Sequence, residues 1–459
     1  MMDLNVVILA AGKGTRMKSN LPKVLQPLAK KPLISHVVDT SFLVEASNVV
    51  IVYGHGGSLV KATIDYLHPN KPIRWVEQAE QLGTGHAVKV ALPELKSDSR
   101  TLILYGDVPL VSKETLQGFI AATGEQDCGL LTVDLDNPTG YGRIIRDASD
   151  NVTAIVEEKD ASEEQKKVTE ANTGIMLVNS EHLQRWLPAL GSANSQGEYY
   201  LTDIVKMASD EAVNVKATMV KDPMEVEGVN DKLQLAKLER AYQLRQAYRL
   251  MQAGATIVDP ERVDIRGSVS IGQDCFIDVN AVFEGTVTLG DNCQIGPNCF
   301  ITNSKIGNNA VIKANTVIED AVIGSEADIG PFARIRPGTV TEAGVKIGNF
   351  VETKKAHIQE GSKVNHLTYI GDAEIGKSVN IGAGTITCNY DGVNKHKTII
   401  GDGAFIGSNT SLVAPITVGV GATVGAGSTV SRSAKEHALT VTRAKQLTLA
   451  DWQRPTKKS

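Results

Sequence analysis

The chain has 459 residues, of which 42% are hydrophobic and 22% charged, and its formal net charge is −5. This length allows two or three domains, and the composition is typical of a globular protein rather than a disordered chain or a membrane bundle. The negative charge argues against nucleic acid as a partner. Residues 6–11 are too short an apolar stretch to span a membrane, and Asp3 stands where a signal peptide carries positive charge, so we expect a cytoplasmic protein.

The distribution of glycine divides the chain into two architectures. Residues 1–260 contain 18 of the 42 glycines, and the shorter remainder contains the other 24. In the first part, β-branched runs at residues 6–9, 49–53 and 101–105 alternate with segments of helical period, which predicts βαβ units and a mostly parallel, Rossmann-like sheet over residues 1–230. Residues 231–253 contain no Gly or Pro and place leucines at helical spacing, which predicts a linker helix over residues 231–254.

Beyond Asp259 the apolar period becomes six. Seven successive positions keep one phase: Ile265, Ile271, Ile277, Phe283, Leu289, Ile295 and Ile301. Such a period predicts a parallel β-helix over residues 255–459, including a carboxyl-terminal tail. The pattern breaks at residues 385–397, which we expect to leave the coil as a loop.

These repeats resemble the hexapeptide-repeat transferases, and the resemblance implies a left-handed coil with three hexapeptides per turn. Cys275 and Cys293 are 18 residues apart and would stack on adjacent turns, about 5 Å apart. We interpret them as packed thiols rather than metal ligands. The five cysteines contain no CxxC pair, which favours a reducing compartment.

The first predicted strand leads into a glycine-rich segment with basic side chains. Its sequence is Leu9-Ala10-Ala11-Gly12-Lys13-Gly14-Thr15-Arg16-Met17, followed by Pro22-Lys23. Backbone N–H groups in a strand-to-helix loop of this kind can approach phosphate closely, although two glycines alone equally suit a tight turn. The segment is not a Walker A loop, and Met17 stands where a dinucleotide fingerprint needs its third glycine.

This segment resembles the signature of the sugar-1-phosphate nucleotidyltransferases, which transfer a nucleotidyl group from a nucleoside triphosphate to a sugar phosphate. Further matches follow in order: Gln78, Gln81-Leu82-Gly83-Thr84, Tyr105-Gly106-Asp107, Gly140-Tyr141-Gly142-Arg143, Glu157, Asn172-Thr173-Gly174 and Glu227-Gly228-Val229-Asn230. Several ordered matches favour the nucleotidyltransferase interpretation over an isolated turn.

The resemblance also implies residue roles. Asp107 follows a predicted strand, where a carboxylate suits Mg²⁺ on phosphates, although a Gly-Asp turn is the simpler explanation by itself. Asn230 would be the second metal ligand, and Arg16 and Lys23 would neutralise phosphate without a covalent nucleophile. Gln78 would read uracil, which implies UTP. The residues implied to bind UTP and N-acetylglucosamine 1-phosphate are Leu9, Ala10, Ala11, Gly12, Lys23, Gln78, Gly83, Thr84, Tyr105, Gly106, Asp107, Gly142, Glu157, Asn172 and Asn230.

A second set of residues lies in the hexapeptide region. Its members are Arg336, Glu352, Lys354, His366, Tyr369, Asn380, Ala383, Asn389, Tyr390, Ser408, Ala426 and Arg443. Over essentially the whole chain, the sequence resembles the bifunctional N-acetylglucosamine-1-phosphate uridylyltransferase/glucosamine-1-phosphate N-acetyltransferase family. A histidine titrates near neutrality, so His366 is our candidate base for the amine that attacks acetyl-CoA, with Glu352 as a possible orienting carboxylate. A lone histidine in a solenoid is otherwise an ordinary surface group.

The resemblance implies the remaining roles in acetyl transfer. Arg336 and Lys354 would hold the sugar phosphate, with Tyr369 and Asn380 also binding this substrate, and Asn389 could stabilise the developing oxyanion. The residues implied to contact acetyl-CoA are Ala383, Asn389, Tyr390, Ser408, Ala426 and Arg443.

The leading hypothesis is therefore an enzyme that acetylates glucosamine 1-phosphate and then uridylylates the product to UDP-N-acetylglucosamine, a precursor of bacterial cell-wall polymers by family implication. Hexapeptide transferases are generally cyclic trimers, which implies a homotrimer. One alternative is a single-activity sugar nucleotidyltransferase with a scaffolding β-helix. Another is a non-catalytic regulatory subunit, which the intact Arg16, Lys23 and Asp107 argue against.

Overall fold

The strand Asp3–Ala10 is the centre of the first unit, because it pairs in parallel with Asn48–Tyr53 on one side and with Ser99–Tyr105 on the other. The computed structural model describes residues 2–54 and 56–457. The chain forms two compact units, Met1–Tyr242 and Gln243–Ser459.

The predicted strands at residues 6–9, 49–53 and 101–105 are confirmed, each slightly longer than expected. One path of the sheet follows the order Val215–Met219, Cys128–Asp134, Glu170–Asn179, Ser99–Tyr105, Asp3–Ala10, Asn48–Tyr53 and Ile73–Glu77. Along this path only Glu170–Asn179 is antiparallel to its neighbours. The pair Arg143–Arg146 and Val152–Val156 extends from it, and Pro27–Leu28 and Lys31–Pro32 form a separate two-stranded pair.

Helices cover both faces of this sheet. The α-helices of the first unit are Leu33–Leu43, Gly57–Leu67, Thr84–Ala91, Lys113–Ala122, Ser180–Ala189 and Asp203–Asp210. Alternate residues of the central strand enter different cores, because successive strand side chains point to opposite faces. Val6 and Ile8 belong to one buried cluster, whereas Val7 and Leu9 belong to the other. The result is the predicted Rossmann-like α/β arrangement.

The strand order places one edge of this sheet in a position to bind ligand. After Asp3–Ala10 the chain first forms the neighbouring strand Asn48–Tyr53. It forms the neighbour on the other side, Ser99–Tyr105, only later. Ligands of open α/β sheets bind at the carboxyl ends of strands at such a switch point. The segments that leave these ends are the loop after Ala10 and the sequence Gly106-Asp107.

A single helix, Lys232–Gln252, occupies the predicted linker region. Its buried positions include Leu238, Ala247 and Leu250, whereas Met251 is exposed. Gln243 is also buried, and its amide exchanges two hydrogen bonds with the backbone of Ile265, at 3.1 and 2.6 Å. The helix belongs partly to each unit, since the boundary between the units falls between Tyr242 and Gln243.

The second unit is a parallel β-helix of very short strands. Its inward positions include the seven predicted apolar residues, of which only Ile271 is not fully buried. Paired residues on successive turns are 17 or 18 apart, as in Phe276 with Gln294 and Gln294 with Val311. The period predicted from sequence is therefore confirmed, whereas the handedness implied by resemblance stays a prediction.

Two sheets of the described residues make up the coil. The first has the strands Thr256–Ile257, Phe276–Ile277, Gln294–Ile295, Val311–Ile312, Asp328–Ile329, Lys346–Asn349, Lys363–His366, Asn380–Ile381, Phe405–Ile406, Thr423–Val424 and Leu439–Thr440. The second has the strands Val263–Ile271, Ala281–Leu289, Phe300–Thr302, Lys305–Ile306, Val317–Glu319, Val322–Ile323, Arg334–Ile335, Val340–Thr341, Glu352–Ile358, Tyr369–Ile375, Ile386–Cys388, Thr398–Ile400, Ser411–Val413, Ile416–Val418 and Thr429–Val430.

The predicted loop at residues 385–397 is present but starts later than expected. Thr385 is buried and Ile386–Cys388 still pairs with strands of the coil, so only residues 389–397 leave it. Asn380 consequently pairs with Phe405, 25 residues further along. The buried Thr385 and Thr387 keep the first residues of the segment in the coil, because Thr387 Oγ1 bonds to the backbone of Gly371.

The described cysteines are all free thiols, and three of them lie inside the coil: Cys275, Cys293 and Cys299. Burial raises the pKa of Cys293 to about 11, which keeps its thiol protonated. Across residues 2–54 and 56–457, no cluster of three or more His, Cys, Asp or Glu side chains is arranged to hold a metal. In the same residues, no helix is both long and apolar enough to cross a membrane.

Candidate functional sites

The loop after Asp3–Ala10 borders the first site. Gly14 has φ 61°, and a Cβ there would lie 2.6 Å from Lys23 Cβ, so a glycine is needed for the loop to pack against Lys23. The expected strand-to-helix loop is corrected by the structure. Thr15–Met17 forms only one 3₁₀ turn, and the next α-helix begins at Leu33. The positive charge beside this loop therefore comes from basic side chains rather than from a helix N-terminus.

Four predicted residues from three parts of the chain meet at this site. The Lys23 ammonium donates to Asp107 Oδ2 and lies 3.3 Å from Asn230 Oδ1. Arg16 Nη2 donates to the same Asn230 oxygen at 3.0 Å. The backbone holds the two segments together, because Val229 N donates to Asp107 O at 2.9 Å. Two cationic side chains and two side chains with acceptor oxygens thus meet at the switch point.

A cavity of about 560 Å³ opens beside this cluster. It is lined by Leu9, Ala10, Ala11, Gly12, Lys13, Lys23, Val24, Gln78, Gln81, Gly83, Thr84, Ala87, Tyr105, Asp107 and Glu198. Most of the residues assigned to UTP by resemblance are in this set. Gly106 lies against it, with its N–H bonded to Leu9 O at 2.9 Å. A larger cavity, of about 770 Å³, shares Lys13, Gln78 and Gln81 with it.

The residues assigned to the sugar form a second group. Asn172 N donates to Gly142 O at 2.8 Å, and Thr202 Oγ1 donates to Glu157 Oε1 at 3.1 Å. Tyr105 lies between this group and the cluster that contains Asp107. Burial raises the pKa of its hydroxyl, and the nearby carboxylates of Glu157 and Asp107 raise it further. Glu157 and Asp107 are therefore both close to the Tyr105 hydroxyl.

Arg143 and Glu158 are positioning residues that sequence analysis did not single out for this role. Arg143 is 1% exposed, and its guanidinium bonds to Tyr141 O and to Glu158 Oε2, the latter at 2.6 Å. Glu158 also accepts from Gly140 N at 3.3 Å. This pair holds the turn that leads into Gly142. The motif Gly-Tyr-Gly-Arg contained the arginine, but nothing local to the motif identified its partner.

The acetyl-transfer residues fall into separate groups within the second unit. On one sheet face, Glu352 is in register with Tyr369, and Lys354 with Gly371. The Tyr369 hydroxyl and the Asn389 amide both lie over Gly371. Asn389 Nδ2 donates to Asp372 Oδ2 at 2.5 Å, which leaves one amide hydrogen available.

His366 lies at a neighbouring corner of the coil. Its Nδ1 is 3.0 Å from Asn349 Oδ1, one turn below, where the two residues are in register. If Nδ1 carries the proton that it donates to this oxygen, Nε2 is left with its lone pair, as a base requires. Asn349 was missed from the sequence, although the 17-residue offset between turns points to it.

The described residues show no hydrogen bond between Glu352 and His366, so the orientation of His366 by Glu352 stays a prediction. Glu352 Oε1 accepts from Arg336 Nη1 at 2.6 Å, and this bond raises the pKa of Arg336. The reason is register: Glu352 and His366 occupy different strands, separated by the corner that contains Phe350 and Leu367. Glu352 is therefore placed to orient Arg336.

Several residues assigned to acetyl-CoA stack along the corner above His366. Gly384 N bonds to His366 O, Asn409 N to Ala383 O, and Gly427 N to Ser408 O. The Arg443 side chain packs against Gly427, next to Ala426: a Cβ added to Gly427 would lie 3.6 Å from it. Small side chains and one arginine thus form a continuous track.

Asn380 and Tyr390 make other contacts. Asn380 pairs with Lys363, on the strand that contains His366. Tyr390 is in the loop, with the Lys395 ammonium 4.4 Å above its ring. A cavity of about 350 Å³ in this unit is lined by other residues: Gly338, Lys355, Ala356, His357, Asp372, Ala373, Glu374, Lys395, His396 and Lys397.

Three family models match the chain. Residues 6–171 match the MobA-like NTP transferase domain, residues 265–351 match the GMPPB C-terminal domain, and residues 397–432 match the hexapeptide repeat of succinyl-transferase. Together with the fold, these matches define a nucleotidyltransferase domain joined to a hexapeptide-repeat β-helix.

Curated relatives match the whole chain. The Bifunctional protein GlmU of Marinobacter nauticus is 57% identical over 457 residues, which cover 100% of both chains. The Bifunctional protein GlmU of Cellvibrio japonicus is 57% identical, covering 99% of this chain and 100% of the relative, and that of Acinetobacter baylyi is 54% identical, covering 99% of each. The chain belongs to the GlmU family of bifunctional proteins. Neither the single-activity alternative nor the non-catalytic alternative fits a full-length match to this family.

We predict that Glu157→Gln changes how stability depends on pH. Burial raises the pKa of Glu157, and the nearby carboxylates of Asp160 and Asp203 add to this effect. Between the pKa of the unfolded state and the higher pKa of the folded state, the folded chain binds more protons, so the free energy of unfolding falls as pH rises through this window. The variant lacks this loss and should gain stability relative to the wild type from pH 4 towards pH 7 in urea unfolding.

The exposed carboxylate of Glu164 supplies the matched control. Glu164→Gln should follow the wild type at both pH values. If Glu157→Gln also follows the wild type, burial of Glu157 contributes nothing to the pH dependence of stability.

Proposed function

We propose that the two activities of this bifunctional enzyme are divided between its two units. The enzyme is both a glucosamine-1-phosphate N-acetyltransferase and an N-acetylglucosamine-1-phosphate uridylyltransferase. Residues 255–459 would carry out the acetyl transfer, residues 1–230 would carry out the uridylyl transfer, and the helix over residues 231–254 would link them. The observation that carries the proposal is the meeting of Arg16, Lys23, Asp107 and Asn230 beside the 560 Å³ cavity in a chain of the GlmU family.

Uridylyl transfer requires the phosphate of N-acetylglucosamine 1-phosphate to attack the α-phosphorus of UTP, with pyrophosphate leaving. The substrates are both anionic, so the protein must position them and neutralise charge as it develops. Arg16 and Lys23 provide the cations, and the backbone of residues 9–12 lies along the cavity. Gln78 and Gly83 would read the base, while Gly142, Glu157 and Asn172 would hold the sugar.

The side-chain oxygens of Asp107 and Asn230 are also suitable ligands for Mg²⁺. Lys23 Nζ already bonds to both, so these oxygens converge on one cationic centre. Two protein oxygens suit Mg²⁺, which usually keeps several waters and binds substrate phosphates as well. When bound, the ion would neutralise phosphate oxygens of UTP. Lys23 would contact the phosphates of UTP directly.

Acetyl transfer requires a base for the amine of glucosamine 1-phosphate. His366 fits this role because Asn349 can hold its Nδ1 proton, leaving Nε2 to accept a proton from the amine. Arg336, oriented by Glu352, and Lys354 would bind the sugar phosphate, with Tyr369 and Asn380 completing the substrate site. The remaining amide hydrogen of Asn389 is available to the thioester oxygen. Ala383, Tyr390, Ser408, Ala426 and Arg443 would contact acetyl-CoA.

A homotrimer would complete the acetyl site. Three successive turns place bulky apolar residues in the left-handed backbone region at one corner: Phe332, Phe350 and Leu367, at φ 55°, 55° and 48°. This conformation is strained for such residues, and they are also 50%, 56% and 63% exposed. Other turns use Asn or Gly at the same corner, as in Asn315 and Gly384. A neighbouring subunit covering this ladder would explain both features, and closed symmetry would prevent a fibre.

The co-substrates also suggest where the enzyme works. UTP and acetyl-CoA are metabolites of the cytoplasm, and the cysteines of the described chain are all unpaired thiols. We infer a cytoplasmic enzyme, consistent with the expectation from sequence.

We expect Asp107→Ala to abolish uridylyl transfer and leave acetyl transfer nearly intact, because Asp107 belongs only to the first site. Separate assays would follow pyrophosphate release from UTP and thiol release from acetyl-CoA. Asp98→Ala removes an exposed carboxylate and should retain both activities. Equal loss of both activities in a folded Asp107→Ala protein would refute the assignment.

His366→Ala should lower acetyl transfer by about 10² to 10⁴, the usual contribution of a positioned base, and should spare uridylyl transfer. His437→Ala is the matched control, because His437 is an exposed histidine of the same unit. A normal rate of acetyl transfer in His366→Ala would remove this residue from the mechanism.

The trimer proposal predicts a particle mass near three times 49.0 kDa in light scattering. The double substitution Phe332→Asn/Phe350→Asn relieves backbone strain, because Asn tolerates the left-handed region, but it removes apolar contact surface. The variant should dissociate and lose acetyl transfer, whereas uridylyl transfer should persist. Leu233→Asn changes an exposed leucine of the first unit and should remain trimeric. A fully active monomer would contradict the proposal.

A further inference from the structure

The side-chain amide of Gln78 is held by two partners at the edge of the 560 Å³ cavity. Gln78 follows the strand Ile73–Glu77, and its Nε2 lies 3.0 Å from Gly83 O and 3.2 Å from His86 Nδ1. Gly83 O is a carbonyl oxygen and can only accept, so the amide atom facing it must be the nitrogen. Gly83 O therefore favours the orientation in which the amide nitrogen faces the turn.

Gly83 itself has little freedom. Its φ is 106°, and a Cβ there would lie 2.7 Å from Tyr199 O, so the turn needs a glycine at this position. The helix Thr84–Ala91 begins directly after it, and Gly85 N donates to Tyr199 O at 2.8 Å. The carbonyl that receives the Gln78 amide is thus part of a tightly packed turn.

His86 supplies the second acceptor. Its Nδ1 faces the Gln78 nitrogen, so Nδ1 must carry the lone pair and the ring proton must be on Nε2. The imidazole lies against Tyr199, with ring centroids 6.4 Å apart. Both hydrogens of the Gln78 amide are therefore used, and no described residue donates to its Oε1. The carbonyl oxygen of Gln78 is the atom left for a ligand in the cavity.

We propose that His86 is a positioning residue that sets base specificity, because it holds the Gln78 amide with its oxygen towards the ligand. This inference rests on the proposed uridylyl transfer. An oxygen acceptor there matches a base that offers an imide N–H, as uracil does at N3. Cytosine has a lone pair at N3 and would place two acceptors against each other. Without His86, Gly83 O is the remaining acceptor that holds the amide nitrogen, so the turned amide, whose nitrogen suits cytosine N3, is less strongly disfavoured.

The test compares two substitutions of similar size at position 86. His86→Leu removes the acceptor, whereas His86→Asn places an amide oxygen near the original Nδ1. We measure kcat/KM for UTP and for CTP in the full-length enzyme with N-acetylglucosamine 1-phosphate and Mg²⁺. The ratio of UTP to CTP should fall about tenfold or more in His86→Leu, as expected for one lost buried hydrogen bond, and should recover largely in His86→Asn.

Other outcomes would overturn the proposal in distinguishable ways. If His86→Leu lowers both rates equally or leaves the ratio unchanged, His86 has only a structural role or none. If the wild type uses no UTP, the proposed uridylyl transfer is itself wrong. Acetyl transfer in each variant reports whether the chain is folded. If His86→Leu does not fold, His86→Met lacks the nitrogen acceptor as well and gives the same comparison.

Discussion

Parallel hydrogen bonding between strands positions the segments that carry many of the proposed functional side chains of this protein. In the first unit, Asp3–Ala10 pairs in parallel on both sides, so the segments after Ala10 and Tyr105 emerge together at one edge of the sheet. In the second unit, parallel pairing repeats every 17 or 18 residues and stacks equivalent positions of successive turns. Much of each proposed site consists of side chains at positions that this pairing brings together.

In the first site, the charged side chains are paired with one another in the absence of substrate. Lys23 and Arg16 bond to Asp107 and Asn230, so each cation has an oxygen partner within the protein. Taking charges out of water costs free energy unless they are paired, and this pairing limits that cost. Phosphates of a nucleotide would offer the cations a second set of oxygens. The same residues can thus serve folding and binding in turn.

The second site combines rigidity with an exposed, strained corner. The coil fixes Asn349 below His366 and Glu352 below Tyr369, so the backbone positions of these residues are well defined. At the same corner, Phe332, Phe350 and Leu367 keep a backbone conformation that suits Asn or Gly better. Strain and exposure at three adjacent turns are the features expected where another subunit contributes to a site.

The sequence by itself determined the two architectures, since a period of six and alternating strand and helix patterns are local properties of the chain. It also located the glycine-rich loop and, through resemblance, the residues now seen around one cavity. It did not determine which side chains form hydrogen bonds with one another. Glu352 bonds to Arg336 and His366 to Asn349, and Gln78 is held by His86, because these contacts depend on register and packing between distant segments. Tertiary structure alone decides such pairs, since a hydrogen bond needs atoms within about 3 Å and no local pattern specifies that distance.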